Sequence, residues 1–284
     1  MRFIFLSLLL IFNVCFLHAQ DDLLSQIDQD LDPESVEVSS AFKGTRLING
    51  HSVETRSKKN LTFIISHRFG NIRGGAYEFF GMDGANIRLG LDYAITDRFT
   101  VGIGRNSLGK HLDGFAKYGI LRQSRGEKQI PVSLTYFGSA AYRTVRMVPE
   151  RTFQQNLAFT HQLLIARKVS SAISLQLMPV WVHYNAVTVE ENNDVFAIGV
   201  GGRYKIGKRF SVNIEYYHQV QELNPDYFNS LALGFDIDTG GHVFQFHITN
   251  SSAMIAKGFV GETTDDFFGG NIHLGFNITR NFQL

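Results

Sequence analysis

A two-residue alternation of apolar and polar or small side chains recurs along most of the chain, and it constrains the fold more than any other feature. Ile87, Leu89, Leu91, Tyr93 and Ile95 alternate with Arg88, Gly90, Asp92 and Ala94. Phe210, Val212, Ile214 and Tyr216 alternate with Ser211, Asn213 and Glu215, and Ile272, Leu274, Phe276 and Ile278 with His273, Gly275, Asn277 and Thr279. Successive side chains of a strand point to opposite faces, so each run has one apolar and one polar face. About twelve such segments lie near 61–69, 86–96, 99–106, 114–122, 130–143, 154–167, 171–183, 194–206, 209–219, 229–238, 241–250 and 271–283. Most exceed the roughly five or six residues of a soluble strand and match the roughly 9–11 that a tilted strand needs to cross a bilayer.

The connections are asymmetric. Those after even-numbered segments are short, as at Asp97-Arg98, Gln123–Gln129, Lys168–Ser170, Gly207-Lys208 and Thr239-Gly240. Those after odd-numbered segments are mostly longer, at 70–85, 107–113, 144–153, 184–193, 220–228 and 251–270. Short turns at one end and long loops at the other are the pattern of an outer-membrane barrel with its long loops outside. A soluble sandwich or lipocalin-like barrel would place the apolar face inside instead, and alternation alone does not separate the two. Strand length, loop asymmetry and the N-terminus favour the membrane form. The fold expected is all-β: an up-and-down antiparallel transmembrane barrel of about twelve strands, behind an acidic N-terminal arm.

That N-terminus reads as a secretory leader. Met1-Arg2 is followed by an apolar stretch from Phe3 to Leu17 and by Leu17-His18-Ala19, which sets residues 1–19 as a signal peptide cleaved after about Ala19. The single Cys, Cys15, lies within it, which excludes a disulfide scaffold and a Cys-rich metal site. No later apolar run is long enough for a spanning helix. With the leader and its Arg2 removed, 26 basic face 26 acidic residues, an even balance that argues against a general nucleic-acid binder. The balance is unevenly spread. Residues 21–40 hold Asp21, Asp22, Asp28, Asp30, Asp32, Glu34 and Glu37 without a Lys or Arg, so an arm of −7 precedes a remainder of +7. Residues 20–60 are therefore a periplasmic arm or a lumen plug, with an Asn49-Gly50 turn signal, and residues 61–284 the barrel.

An internal repeat supports a hairpin-built barrel. Phe79-Phe80-Gly81, then Asn86–Gly90 and Ile95–Phe99, recurs as Phe267-Phe268-Gly269, Asn271–Gly275 and Ile278–Phe282. If strand one closes on strand twelve, the two Phe-Phe-Gly loops become neighbours at the outer rim. The chain ends Phe282-Gln283-Leu284, in the lipid-facing phase that barrel-assembly machinery reads.

His67-Arg68-Phe69-Gly70, the Phe-Phe-Gly loop, Asn86–Thr96 with Asp97-Arg98-Phe99, Val101–Arg105 and Phe115–Tyr118 resemble a family of outer-membrane β-barrels of Gram-negative bacteria, the membrane-bound β-barrel domain of unknown function numbered 5777. The resemblance spans most of the mature chain. It implies a fold and a location in the outer membrane, and it carries no activity and no site residues.

With the apolar phase facing lipid, the lumen should receive Arg68, Arg88, Asp92, Lys117, Arg203, Lys205, Glu215, Asp236, His247 and His273. These could form an ion-pair network that stiffens the wall, or a polar constriction that selects solutes by charge and size. The ten His residues show no metal-binding spacing, so no metal, cofactor or catalytic residue is expected. Outer-membrane lipid, the assembly machinery and a small polar solute are the expected partners. The leading expectation is a channel or uptake pore rather than an enzyme. A closed structural or partner-binding barrel is the alternative. A membrane-embedded lipid hydrolase, with His161 and Ser174 as its one nominable pair, is a third reading.

Overall fold

The computed structural model describes residues 36–127, 129–188, 191–221 and 226–284. The leader and the acidic stretch 20–35 lie outside the described residues. Twelve antiparallel strands close into one barrel. They are β1 (Asn60–Asn71), β2 (Ala85–Ala94), β3 (Phe99–Asn106), β4 (His111–Leu121), β5 (Ser133–Arg143) and β6 (Leu157–Lys168). The second half is β7 (Ile173–Tyr184), β8 (Asp194–Lys205), β9 (Phe210–Gln219), β10 (Leu231–Asp238), β11 (His242–Thr249) and β12 (His273–Gln283). Each strand pairs with its sequence neighbour, and β12 closes on β1 through Ile278↔Ile65 and Phe282↔Leu61. The architecture is the up-and-down barrel that the alternation requires, and closure leaves no unpaired strand edge.

The phases follow the pattern. Along β2, Ile87, Leu89, Leu91 and Tyr93 point out and Arg88, Gly90, Asp92 and Ala94 point in. Leu175, Leu177 and Trp181 of β7, Phe196, Ile198 and Val200 of β8, and Phe210, Val212 and Ile214 of β9 continue the exposed belt. An apolar surface that encircles a molecule far exceeds the few hundred Å² a soluble monomer tolerates; it is stable only against lipid. The phase of β1 is weak in sequence. In the barrel its inward set is Thr62, Ile64, Ser66 and Arg68, with Ile64 fully buried.

The two loops that carry the Phe-Phe-Gly segments meet at the loop side. Ile72 N–H donates to Ile272 O at 2.9 Å and Asn71 Nδ2 to Asp265 Oδ1 at 3.1 Å. Phe79 and Phe80 adopt left-handed φ values of 46° and 55°, and both rings are exposed.

Two segments enter the barrel, one from each end. From the turn side, residues 41–54 form a hairpin with an Arg46↔His51 bridge and a Leu47 N–H to Gly50 O bond of 2.8 Å. From the loop side, the β11–β12 connection folds inward at Ser251–Thr263 and carries the short helix α1 (Ala256–Gly261). Leu47 and Val53 of the hairpin, Phe259 and Val260 of α1, and Met178, Val182 and Tyr217 of the wall form one apolar cluster. Long outer loops were expected to stay outside. Ala253, Met254, Ile255, Phe259 and Val260 explain the difference: buried among wall residues, they escape the water that an extended loop would meet.

Candidate functional site: the hairpin in the lumen

The hairpin is gripped by its backbone. Its tip, Leu47–Gly50, carries the Asn49-Gly50 pair, and the three successive N–H groups of Ile48, Asn49 and Gly50 converge on the Glu215 carboxylate at 2.8, 3.1 and 2.8 Å. A carboxylate that accepts several backbone N–H bonds is held by charge-assisted bonds, each about twice as strong as a neutral one. A Cβ at Gly50 would collide with the Tyr217 hydroxyl, so only glycine lets the tip seat this deeply.

Carbonyls of the tip are answered as well. Gln245 Nε2 donates to Leu47 O and Asn277 Nδ2 to Ile48 O, both at 2.9 Å. Arg68 Nη2 donates to Asn49 Oδ1 at 2.7 Å. Gln176 spans the returning arm, donating to His51 O at 2.9 Å and accepting from Val53 N–H at 2.7 Å. Thr135 Oγ1 donates to Val53 O at 2.9 Å, Lys117 Nζ to Glu54 O, and Arg203 Nη1 to Ala41 O at 2.8 Å. Eight strands thus contribute a side chain to one short hairpin.

Some charged groups inside the barrel pair with each other. Arg46 Nη1 of the hairpin lies 3.2 Å from Asp92 Oδ2 of β2, both side chains almost wholly buried. Arg46 Nη1 also donates to His51 Nδ1 at 2.9 Å. The His51 ring packs on Phe115 and Phe137. Burial, reinforced by the Arg46 charge, holds the His51 imidazole well below its ordinary range, so the hairpin carries it neutral. Nearer the loop side, Arg88 grips Asp113 with two parallel bonds, Nε–Oδ1 at 2.9 Å and Nη2–Oδ2. Gly104 gives that guanidinium its space, because a Cβ there would meet Arg88 Nη2.

The remaining inward residues have distinct surroundings. Asp236 is buried and accepts from Gln245 Nε2 at 3.0 Å. His273 bonds Phe69 O at 2.9 Å and Asp265 Oδ2 at 3.0 Å, near the loop-side rim. His247 is buried with neither ring nitrogen hydrogen-bonded among the described residues. Lys205, the last residue of β8, is half-buried at the turn-side end rather than enclosed. Arg68, Arg88, Asp92, Lys117, Arg203 and Glu215 are all buried. Glutamine and asparagine at 176, 245 and 277 were missed by charge-based reading. Their signal was present: each occupies the polar phase of an alternating strand.

The Ser–His pair considered for lipid hydrolysis is not assembled. Ser174 is buried on the lumen face, whereas His161 lies on the outer wall, with Nδ1 at 2.6 Å from the Tyr136 hydroxyl and its ring stacked on Trp181. The two phases of adjacent strands place them on opposite sides of the wall.

At the turn side, Val36–Glu37 pairs antiparallel with Ser124–Arg125, and Glu37 meets Arg122 at 3.0 Å. The chain leading to the hairpin is thus tied to the rim.

Residues 42–282 match the membrane bound beta barrel domain family, domain of unknown function 5777. The chain belongs to that family. The match begins at Phe42, so the hairpin lies within the family domain. Among solved structures, the NanC porin is similar at 8% identity with a TM-score of 0.50, covering 79% of this chain and 100% of that one. The KdgM porin aligns at 9% identity and a TM-score of 0.47, covering 79% and 99%. At 8% identity the likeness to the NanC porin is one of fold. No curated protein sequence matches significantly.

Proposed function

We propose that this membrane-bound barrel is an outer-membrane channel for the uptake of small polar solutes, closed at rest by the hairpin 41–54. The observation that carries this reading is the chemistry of the hairpin's seat. A barrel meant to stay closed can fill its lumen with wall side chains packed on each other. Here the wall presents Glu215, Gln176, Gln245, Asn277, Arg203 and Lys117, whose partners are backbone groups of a separate segment. Such bonds exchange with water at a net cost of only about 1 kcal/mol each. A lumen vacated by the hairpin would be hydrophilic, lined by charges of both signs. The membrane bound beta barrel domain and the leader-like pattern of residues 1–19 support placement in the outer membrane, with the hairpin entering from the periplasm.

A second reading, a permanently closed barrel that presents its loops or arm to a partner, is favoured by the apolar cluster that joins hairpin, wall and α1. Swelling of proteoliposomes in small neutral sugars and amino acids separates the two. The channel reading expects swelling that increases in Glu215→Gln. An intact barrel that admits no solute in either form would sink it.

A further inference from the structure

A cavity of about 860 Å³ opens at the loop-side mouth above α1. That size suits a small-molecule site, typically about 300–1,000 Å³. Its walls are the loop-side ends of strands β3 to β9 and its floor is the inward-folded Ser252–Thr264. The described charged residues lining it are Arg143, Arg151, Lys257, Glu191 and Glu262, three cations and two acids.

Both acids are already engaged. Glu262 takes the Lys257 ammonium on its two oxygens at 2.7 and 2.9 Å. Glu191 accepts from the Tyr227 hydroxyl at 2.7 Å, and from Thr188 N–H and Oγ1 at 3.0 Å each. Those bonds, the Tyr227 one foremost, hold the Glu191 carboxyl below its ordinary range and therefore ionised. The arginines are not so served. Arg151 has a single long bond, to Ala186 O at 3.5 Å. Arg143 is half-buried, its side chain has no hydrogen bond or ion pair among the described residues, and its Nε is sealed from solvent without a partner. A guanidinium is a planar fork of five donors, shaped for a bidentate oxyanion. Sealing the Arg143 Nε without an acceptor costs desolvation, and its terminal nitrogens remain free to meet an oxyanion in the cavity.

We propose that this cavity binds a small solute carrying one carboxylate, with Arg143 as its anchor and Arg151 as a second cation. Among the described lining residues the cations outnumber the acids by one, which a monoanion matches and a phosphate monoester at about −1.5 to −2 exceeds. Asn106, Asn192 and Tyr184 on the same wall offer polar contacts to a hydroxylated body. The inference rests on the uptake reading for what the bound solute does next; binding itself is tested apart from transport.

The experiment is isothermal titration of the full mature chain in detergent with D-glucuronate, its isosteric amide D-glucuronamide, and glucose 6-phosphate. Glucuronate is expected to bind about tenfold or more tighter than the amide, a difference of a single charge-assisted pair. Arg143→Gln should bring glucuronate to the amide's level while leaving the amide unchanged, and Arg143→Lys should recover only part of the loss. Retained heat-modifiable mobility on gels checks that each variant keeps its barrel. Equal binding of acid and amide, no binding of either, indifference to Arg143→Gln, or tighter binding of the phosphate ester would each overturn the proposal. Glucuronate flux into proteoliposomes is measured in parallel. Binding without flux would remove the uptake reading and leave this site, and flux without binding would do the opposite.

Discussion

The two segments that fill the barrel share one apolar cluster and differ in their polar ties to the wall. The hairpin 41–54 is fixed by wall side chains that bond its backbone, with Glu215, Gln176, Gln245 and Asn277 at its tip and returning arm. The loop-side segment is fixed by burial of Met254, Ile255, Phe259 and Val260, and by bonds of its own such as Thr263 Oγ1 to Ser251 Oγ at 3.0 Å. Its polar ties to the wall are few: Tyr184 to Lys257 O at 2.7 Å and Gln219 to Val260 O at 2.8 Å. Directional bonds set register and can be traded for water, whereas apolar burial is lost only by exposing surface. Under the proposed channel function, the contrast assigns the hairpin as the movable half of the closure and the loop-side segment as the fixed half.

Tyr217 links them. Fully buried, it has its hydroxyl beside Gly50 and its ring centroid 5.1 Å from that of Phe259. The difference between the halves can be broken at either side. The largest effect is expected at Phe259→Ala, which opens a cavity against Tyr217 and should cost about 3–5 kcal/mol. Amide hydrogen exchange should accelerate across 253–261 far more than at 48–50; equal acceleration would mean that the halves move as one. Next, Glu215→Gln replaces the acceptor of three N–H groups by an amide with one oxygen. A loss of about 1.5–3 kcal/mol is expected, read as roughly tenfold to hundredfold faster exchange at Ile48, Asn49 and Gly50 with the loop-side segment unaffected.

The smallest effect is one of pH. The neutral His51 accepts from Arg46, and its pKa is depressed in the seated hairpin. A depressed pKa contributes stability above the free imidazole value of about 6.5, and that stability is lost as pH falls below it. Hairpin exchange should therefore rise between pH 7.5 and 5.5, and His51→Asn, which keeps an acceptor for Arg46, should flatten the profile. A profile unchanged by the substitution would place the titrating group elsewhere.

Much of this molecule is legible in its sequence. Alternation fixes the barrel and assigns Arg88, Asp92, Lys117 and Glu215 to the inner face, because the strand period leaves no other option. What these residues bind is less accessible. Asp92 meets Arg46 and Glu215 meets Ile48–Gly50 from a segment whose one local signal is Asn49-Gly50. Pairing between a strand and a distant hairpin depends on three-dimensional placement, which periodicity does not encode. The inward fold of Ser251–Thr263 escaped for a related reason: six helical residues give too little periodicity to read, and only Met254-Ile255 and Phe259-Val260 hint at burial. In β1, Ile64 opposes Phe63 and Ile65, so the phase emerged only from pairing with β2 and β12.

The central claim is that the hairpin closes an otherwise polar lumen. Single-channel conductance in planar bilayers, comparing the full mature chain with one lacking residues 21–55, tests it most directly. The account predicts a low or rarely opening conductance for the full chain and a large, persistently open one after deletion, with the barrel still heat-modifiable on gels. An intact deleted barrel whose conductance equals that of the full chain would contradict it.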